Sequence, residues 1–351
     1  MSNQTPRDRL LKAFAFEETA PIPYTVWYDD QTRERLNAHY GDNRWEKRID
    51  NHILRLIIEW EPKTPVEDGH YRDIHGSIWQ SGATPHIVRP VLAEPELQDF
   101  TIPDYVPYLL AAPSPPAGPH LSLPRLGFNE AREIMERERG RRLVIVQICH
   151  GLFECSWMIR GFENLFVDLL ESPDFCHRLF DMLLERHLQL VDELLKLPCD
   201  GIIFVDDYGD QRGIIIGPDL WRAFIKPRLA KLYERVHQAG KWTFQHSCGN
   251  VFDIIPDLLE SGLDVLQSLQ PEAMDISRIK REFGHDLRLW GGVGTQQLLP
   301  QGTPDEIRAE VRRLKDVMGA GGGFCLSTSK PIMGDVPVAN AATLIEETLA
   351  P

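Results

Sequence analysis

Several features are missing from this sequence, and each absence excludes a class of protein. No run of apolar residues approaches the ~20 that a membrane-spanning helix needs, and residues 1–18 lack the apolar centre of a secretory signal. Lysine and arginine (38) are outnumbered by aspartate and glutamate (52), which gives a formal net charge of −14. Nucleic acids and anionic membranes need clustered basic residues. We therefore expect a cytoplasmic protein with neither as its main partner.

Cysteine and nucleotide-binding motifs are also scarce. The 351 residues include only six cysteines, and their spacing is not that of a disulfide framework. In a reducing compartment they would be free thiols or metal ligands. No G-x-G-x-x-G motif follows a strand, and the glycines at 321–323 precede a predicted strand where a phosphate-binding loop would lead into a helix. Dinucleotide binding therefore has no support.

What the sequence does contain, from residue 141 onward, is a regular alternation of short β-branched runs and amphipathic helical stretches. The predicted strands are residues 143–148, 201–205, 242–245, 264–268, 287–291 and 322–326. The predicted helices are residues 172–197, 218–238, 251–261, 275–283, 304–318 and 338–349. Repeated β–α units with nearly continuous apolar strands predict a parallel sheet covered by helices on both faces.

The strand count approaches eight when earlier segments are included. Residues 22–27 are a further strand candidate, and a strand within residues 69–79 would complete the set. We predict an α/β fold, a distorted (β/α)8 TIM-type barrel in a single domain of residues 1–351. Residues 1–140 would hold N-terminal strands and an irregular, proline-rich insertion, including the loop at 113–116, and residues 141–351 the regular units. An open, doubly wound sheet is the alternative.

The most informative short motif is His246-Ser247-Cys248-Gly249, at the end of a predicted strand. Active sites of such barrels lie at the carboxyl ends of the strands. Imidazole and thiolate are preferred zinc ligands, although a zinc site needs about four ligands and the motif offers two. A buried cysteine beside a hydrogen-bonded histidine is the alternative interpretation.

Other polar residues follow the predicted strands at the same end. Asp206, Asp207 and Tyr208 come directly after residues 201–205, and Glu154 follows residues 143–148. Two carboxylates leaving a buried strand are suited to moving a proton, but they equally suit capping the next turn. Glu154 would either serve at the site or pair with Arg160.

The chain resembles the uroporphyrinogen decarboxylase superfamily over nearly its whole length. The motifs that carry the resemblance are residues 204–207, the His246–Gly249 motif, residues 289–293, residues 302–307 and the closing Val336-Pro337-x-x-Asn340. The resemblance implies a distorted (β/α)8 barrel, in agreement with the strand pattern.

Two branches of that superfamily differ in the motifs of their active sites. The decarboxylases use an arginine-rich N-terminal segment to bind substrate carboxylates, and residues 23–30 here contain no arginine. Their final-loop histidine is replaced by residues 328–331, Thr-Ser-Lys-Pro. The cobalamin-dependent methyltransferases carry H-x-C-G and a second cysteine in the final loop. His246 and Cys248 match that pattern, whereas the usual cysteine position falls on Lys330, which leaves Cys325 as the candidate third zinc ligand.

The resemblance therefore implies a methyltransferase, with zinc or without it, that works with a corrinoid carried by a separate protein. The small substrate would be a methoxylated aromatic, a methylamine, tetrahydrofolate or a thiol. A decarboxylase and a non-catalytic binding protein are the alternatives, and a monomer or a homodimer is expected. The predicted site residues are, for catalysis, Asp206, Asp207 and Glu154; for substrate, Tyr208, Gln267, Trp27 and Lys330; and for metal, His246, Cys248 and Cys325.

Overall fold

The structure, a computed structural model, describes residues 4–82, 85–114 and 124–351. The predicted loop at 113–116 and the segment 103–124 around it lie partly outside these ranges. The strands are β1 Ile53–Ile58, β2 Thr64–Pro65, β3 His70–Arg72, β4 Ile78–Gln80, β5 His86–Arg89, β6 Arg125–Leu126, β7 Leu143–Ile148, β8 Gly201–Val205, β9 Trp242–His246, β10 Val265–Leu269, β11 Arg288–Val293 and β12 Phe324–Thr328. The helices are α1 Pro6–Phe14, α2 Asp30–Tyr40, α3 Val106–Leu110, α4 Phe128–Glu138, α5 Leu152–Arg160, α6 Phe162–Glu171, α7 Pro173–Leu194, α8 Pro218–Phe224, α9 Lys226–Gln238, α10 Ile255–Glu260, α11 Ile276–Phe283, α12 Leu298–Gln301, α13 Pro304–Gly319 and α14 Val338–Leu349.

A curled parallel sheet forms the centre of the fold, in the order β12-β11-β10-β9-β8-β7-β1, with β6 beside the end of β1. Its strands are buried on both faces because the helices cover the outside; all six residues of β7 are buried. The predicted strands from 143 onward are confirmed within about two residues. The α/β class and the barrel architecture are therefore as predicted.

Residues 24–28 close the sheet into a ring. Tyr24 and Tyr28 form parallel bridges with Leu326 and Ile332, on the side of β12. On the other side, the N–H of His52, directly before β1, donates to the carbonyl of Tyr24. The predicted early strand at 22–27 therefore has the expected position, but it pairs through isolated bridges.

The prediction of a barrel strand within residues 69–79 is wrong. Those residues contribute β3 and β4 to a separate antiparallel sheet of order β2-β3-β4-β5. The remaining barrel strand is β1, which pairs with β7 in parallel. The sequence pattern did not indicate β1 because Arg55 interrupts its apolar run.

One predicted helix is divided in two, and the predicted start of another is confirmed. The helix predicted at 218–238 is divided into α8 and α9, because Pro227 in the first turn of α9 cannot continue the hydrogen bonds of the preceding helix. The start of α13 is as predicted, with a capping box between Thr303 and Glu306.

Among the described residues, none of the helices combines the length and apolarity needed to cross a membrane.

The inside of the barrel is built in layers. Alternate strand residues point inward, so positions two apart on a strand occupy successive layers. The lower part of the interior is an apolar layer, which is more than one strand position deep at β7 and is closed from below by α1. It contains Leu10 and Phe14 of α1 together with Ile53, Leu143, Ile145, Ile203, Phe244, Val265, Trp290 and Cys325.

Candidate active site

The layer above the apolar one is polar. Two residues further along the same strands are Arg55, Gln147, His246, Gln267 and Ser327. Four of them are joined by hydrogen bonds: Arg55 donates to the Oε1 atoms of Gln147 and Gln267, and His246 bonds Gln267. This change from apolar to polar over one step occurs on five of the strands, while β8 and β11 contribute Val205 and Gly292, and it forms a polar surface toward the carboxyl end of the barrel.

Asp207, His246 and Cys248 form the cluster of possible metal ligands found among the described residues. His246 Nε2 lies 3.5 Å from Cys248 Sγ and 3.6 Å from Asp207 Oδ1. Ligand bonds of 2.0–2.3 Å in a tetrahedral arrangement place neighbouring donors roughly 3.4–3.6 Å apart. The imidazole nitrogen therefore lies at the spacing of a tetrahedral zinc site from both the sulfur and the carboxylate oxygen, and all three donors lie within 4.8 Å of one another.

Gln267 orients the histidine of this cluster. The His246 Nδ1 atom forms a short hydrogen bond with Gln267 Oε1, which as an acceptor requires the proton to be on Nδ1. The Nε2 lone pair then points to Cys248 and Asp207, as in a metal-binding histidine held by an outer partner. Burial lowers the pKa of His246, so the imidazole is neutral, which is the form that binds a metal.

Cys248 does not ionise readily in the absence of a cation. Burial and the neighbouring Asp207 raise the pKa of its thiol to about 12, although the Lys330 ammonium acts in the opposite direction. A bound divalent cation releases the proton of a coordinating thiol. The protein therefore offers a donor that needs a metal to become a thiolate.

The loop after β8 and the loop after β9 are held together by hydrogen bonds from backbone N–H groups to side-chain oxygens. The N–H of Cys248 donates to Asp207 Oδ1 (2.8 Å), and the N–H of Tyr208 donates to Ser247 Oγ (2.9 Å). Gly249 has a φ of +76°, and a Cβ there would run into the carbonyl of Gly209. The glycine of the H-x-C-G motif is therefore required for the two loops to approach.

The structure places the predicted third ligand, Cys325, outside the cluster. Cys325 points into the barrel, but it lies in the apolar layer with Phe244 and Trp290 and is fully buried. It is not part of the cluster with His246 and Cys248 because its position on β12 is one layer too low. The third member of the cluster is instead Asp207, predicted from the sequence as a catalytic acid.

Asp206 and Tyr208 lie in the wall, away from the open site. The Asp206 carboxylate accepts the backbone N–H groups of Phe153 and Glu154, at 2.9 and 2.8 Å, at the start of α5. Tyr208 is buried, forms a hydrogen bond with Asp206 and packs edge-on against Trp221. The geometry thus favours helix capping for Asp206 and a packing role for Tyr208 over the predicted catalytic and substrate-binding roles.

Glu154 faces the site from the start of α5. It does not pair with Arg160, whose partner is Asp168. Its Oε2 atom is buried without a hydrogen-bond partner among the described residues. Burial and the charge of Asp206 raise its pKa well above the usual range, so the carboxyl is protonated at neutral pH. It borders a cavity of about 280 Å³, also lined by Glu61, Gln147, Cys149 and His150.

Trp27 lies beside Arg55, and Lys330 lies near enough to the cluster to act on two of its members. The indole of Trp27 donates to Thr328 Oγ1 (2.7 Å) and lies under the Arg55 guanidinium at 5.3 Å. Lys330 is exposed, and its charge acts on both His246 and Cys248. Arg55 and Gln147 were not predicted as site residues; the available signal was a charged residue within an otherwise apolar strand.

Comparisons with known proteins agree with this architecture. Residues 122–349 match the family described as uroporphyrinogen decarboxylase (URO-D). A solved methyltransferase from Methanosarcina mazei superposes with a TM-score of 0.69 at 18% identity, over 98% of each chain. The methylated-thiol–coenzyme M methyltransferase of the same species is 21% identical over 260 residues, which is 71% of this chain and 63% of that protein. This chain therefore spans somewhat less than two thirds of that relative's length.

The structural superposition supports the fold, and the family match supports membership of a family. At 18% identity the superposition shows the shared fold alone. The family match spans more than half of the chain and includes strands β7 to β12, the cluster of Asp207, His246 and Cys248, and the closing helix α14. The chain belongs to the uroporphyrinogen decarboxylase family.

Proposed function

We propose that the protein is a methyltransferase that exchanges a methyl group between a corrinoid on a separate carrier protein and a small substrate. Zinc would be held by Asp207, His246 and Cys248. The observation that carries the proposal is the spacing of these three donors at the mouth of the barrel, 3.5 and 3.6 Å from the imidazole nitrogen. The methyltransferase activity in the names of the two relatives gives it further support.

The residues of the site have separate tasks in this proposal. When bound, zinc supplies a Lewis acid that lowers the pKa of a coordinated thiol or polarises an ether oxygen. Gln267 keeps the His246 tautomer that presents Nε2, and Asp207 remains open to the mouth, with 38% of its side chain exposed. Glu154 holds a proton on a carboxyl whose Oε2 has no partner among the described residues, and is the acid that we assign to proton transfer with the substrate.

Metal analysis tests the proposal directly. We expect about one zinc ion per chain in protein purified without chelators, because a three-donor site with one open position is the usual catalytic arrangement. Cys248→Ala and Asp207→Ala should lose the metal and the transfer of the methyl group from methylcobalamin to a thiol acceptor, followed by the visible absorbance of the corrinoid. Cys325→Ala is the matched control, since its sulfur lies in the apolar layer and its loss should leave the zinc in place.

Two results would count against the proposal. Methyl transfer at the wild-type rate by metal-free Cys248→Ala protein would remove zinc from the reaction. Release of carbon dioxide from uroporphyrinogen by the wild-type protein would instead favour the decarboxylase alternative.

A further inference from the structure

Arg55 is a charged side chain inside the barrel that has no counter-ion among the residues that the structure describes. It lies on β1 and is 6% exposed. No carboxylate of the described residues forms an ion pair with it, although most other buried or half-buried arginines are paired; Arg160 with Asp168 is an example. A buried ion is costly to keep unless it is paired and hydrogen-bonded. The position therefore calls for an anion that the described residues do not provide.

The contacts of the guanidinium leave donors free. Its Nε donates to Gln147 Oε1 (2.7 Å) and its Nη1 to Gln267 Oε1 (3.4 Å), and both acceptors are neutral amides. A guanidinium has five N–H donors. The Nη2 nitrogen has no acceptor within the described part of the chain, and it is not among the fully enclosed unpaired atoms. It thus borders accessible space, with Trp27 on one face of the guanidinium.

Gln267 places this guanidinium beside the metal-ligand cluster. Its Oε1 atom bonds both Arg55 Nη1 and His246 Nδ1. The two nitrogen atoms are therefore separated by no more than two hydrogen bonds, about 6 Å. A small molecule with an anionic group on Arg55 would reach the His246 side of the barrel with a short aliphatic chain.

We propose that Arg55 binds the carboxylate or sulfonate group of a small methyl donor or acceptor, and so directs its other end toward Asp207, His246 and Cys248. Gln147 and Gln267 hold the guanidinium from the sides, and the fork of N–H groups matches a two-oxygen anion. This inference rests on the proposed function for the identity of the substrate's reacting end. The anion site itself rests only on the contacts of Arg55.

The test measures binding to metal-free protein, so that it does not depend on catalysis. The probes are 3-(methylthio)propionate and its uncharged amide, titrated by calorimetry into wild-type, Arg55→Gln and Arg312→Gln proteins. Arg312 is an exposed arginine paired with Glu347 on the surface, and its variant controls for the loss of one positive charge. We expect the wild type and Arg312→Gln to bind the acid at least tenfold more tightly than the amide. Arg55→Gln should bind the acid and the amide equally.

Thermal unfolding separates a binding role from a structural one. Removal of a charge that has no protein counter-ion should leave the Tm of Arg55→Gln equal to that of the wild type or above it. A fall of several degrees, with unchanged preference for the acid, would overturn the proposal. Equal binding of acid and amide by the wild type would also overturn it, as would equally tight binding of inorganic sulfate, which would indicate an unspecific anion site. If the acid binds as expected and no methyl transfer occurs, only the proposed function fails.

Discussion

At the scale of single residues, Gln267 connects Arg55 to the histidine of the metal-ligand cluster. One amide oxygen fixes the tautomer of His246 and also accepts from Arg55. The amide nitrogen of the same side chain is buried and has no partner among the described residues. Such outer partners commonly decide how well a metal ligand is oriented.

Gln267→Leu tests this role. The variant keeps the three proposed ligands but leaves the His246 imidazole free to rotate or change tautomer. We expect zinc affinity to fall by about 10- to 100-fold, measured by competition with a chromogenic chelator. Gln211→Leu, on the exposed loop after β8, is the control and should bind zinc as the wild type does. An unchanged affinity in Gln267→Leu would show that the loops alone hold the histidine.

The site could be predicted from the sequence only where a residue's direction follows from a local motif. His246 and Cys248 are two apart in H-x-C-G and lie together. The direction of Asp207 depends on the turn after β8, which the sequence does not specify. The layer of Cys325 depends on where β12 begins, and the predicted start at 322 is two residues earlier than the observed Phe324. The role proposed for Arg55 could not be predicted from the sequence, because it depends on finding no carboxylate paired with it among the described residues.

At the scale of elements, the segments that follow β1 and β7 are joined by an ion pair above the cavity. His150 Nδ1 lies 2.9 Å from Glu61 Oε2, and both residues follow strands that are neighbours in the barrel. Burial opposes the charge of His150, but the Glu61 carboxylate outweighs it and raises the pKa of the imidazole to about 9. In turn, burial acts against the charge of Glu61, yet His150 lowers the pKa of that carboxyl below its usual 4.5.

The pair predicts a pH dependence of stability. The ordinary pKa of a histidine, which applies to the unfolded chain, is 6.5, and that of His150 in the folded protein is about 9. The stabilisation from His150 is therefore complete below pH 6.5 and is lost as the pH rises through 9. Glu61 adds stability above pH 4.5, which is lost as the pH falls through its lowered pKa. We expect the difference in Tm between the wild type and His150→Gln to be largest near pH 6 and to vanish above pH 10. A difference that is constant with pH would contradict the ion pair.

At the scale of the whole molecule, the N-terminal third completes the barrel that the later units begin. Residues 24–28 lie between β12 and the start of β1, and β1 pairs with β7. Leu10 and Phe14 of α1 close the apolar layer from below. The regular units from residue 141 onward therefore have two unpaired strand edges and an open base without the rest of the chain.

The expectation of a single domain can be tested by truncation. We expect the full chain to unfold in one cooperative calorimetric transition. A fragment of residues 141–351 should aggregate or lack a transition, because the edges of β7 and β12 and the apolar interior would be exposed. Near-native circular dichroism and a cooperative melt for the fragment would show that the later units fold independently.

The amide oxygen shared by Arg55 and His246 has one further consequence. If an anion binds the guanidinium and a cation binds the imidazole, each ligand polarises a group that donates a hydrogen bond to the same oxygen atom. The two affinities are then linked, and linkage is reciprocal: whatever factor the cation contributes to anion binding, the anion returns to the cation. In the proposed function, the binding of substrate and the binding of zinc would therefore change each other's affinity.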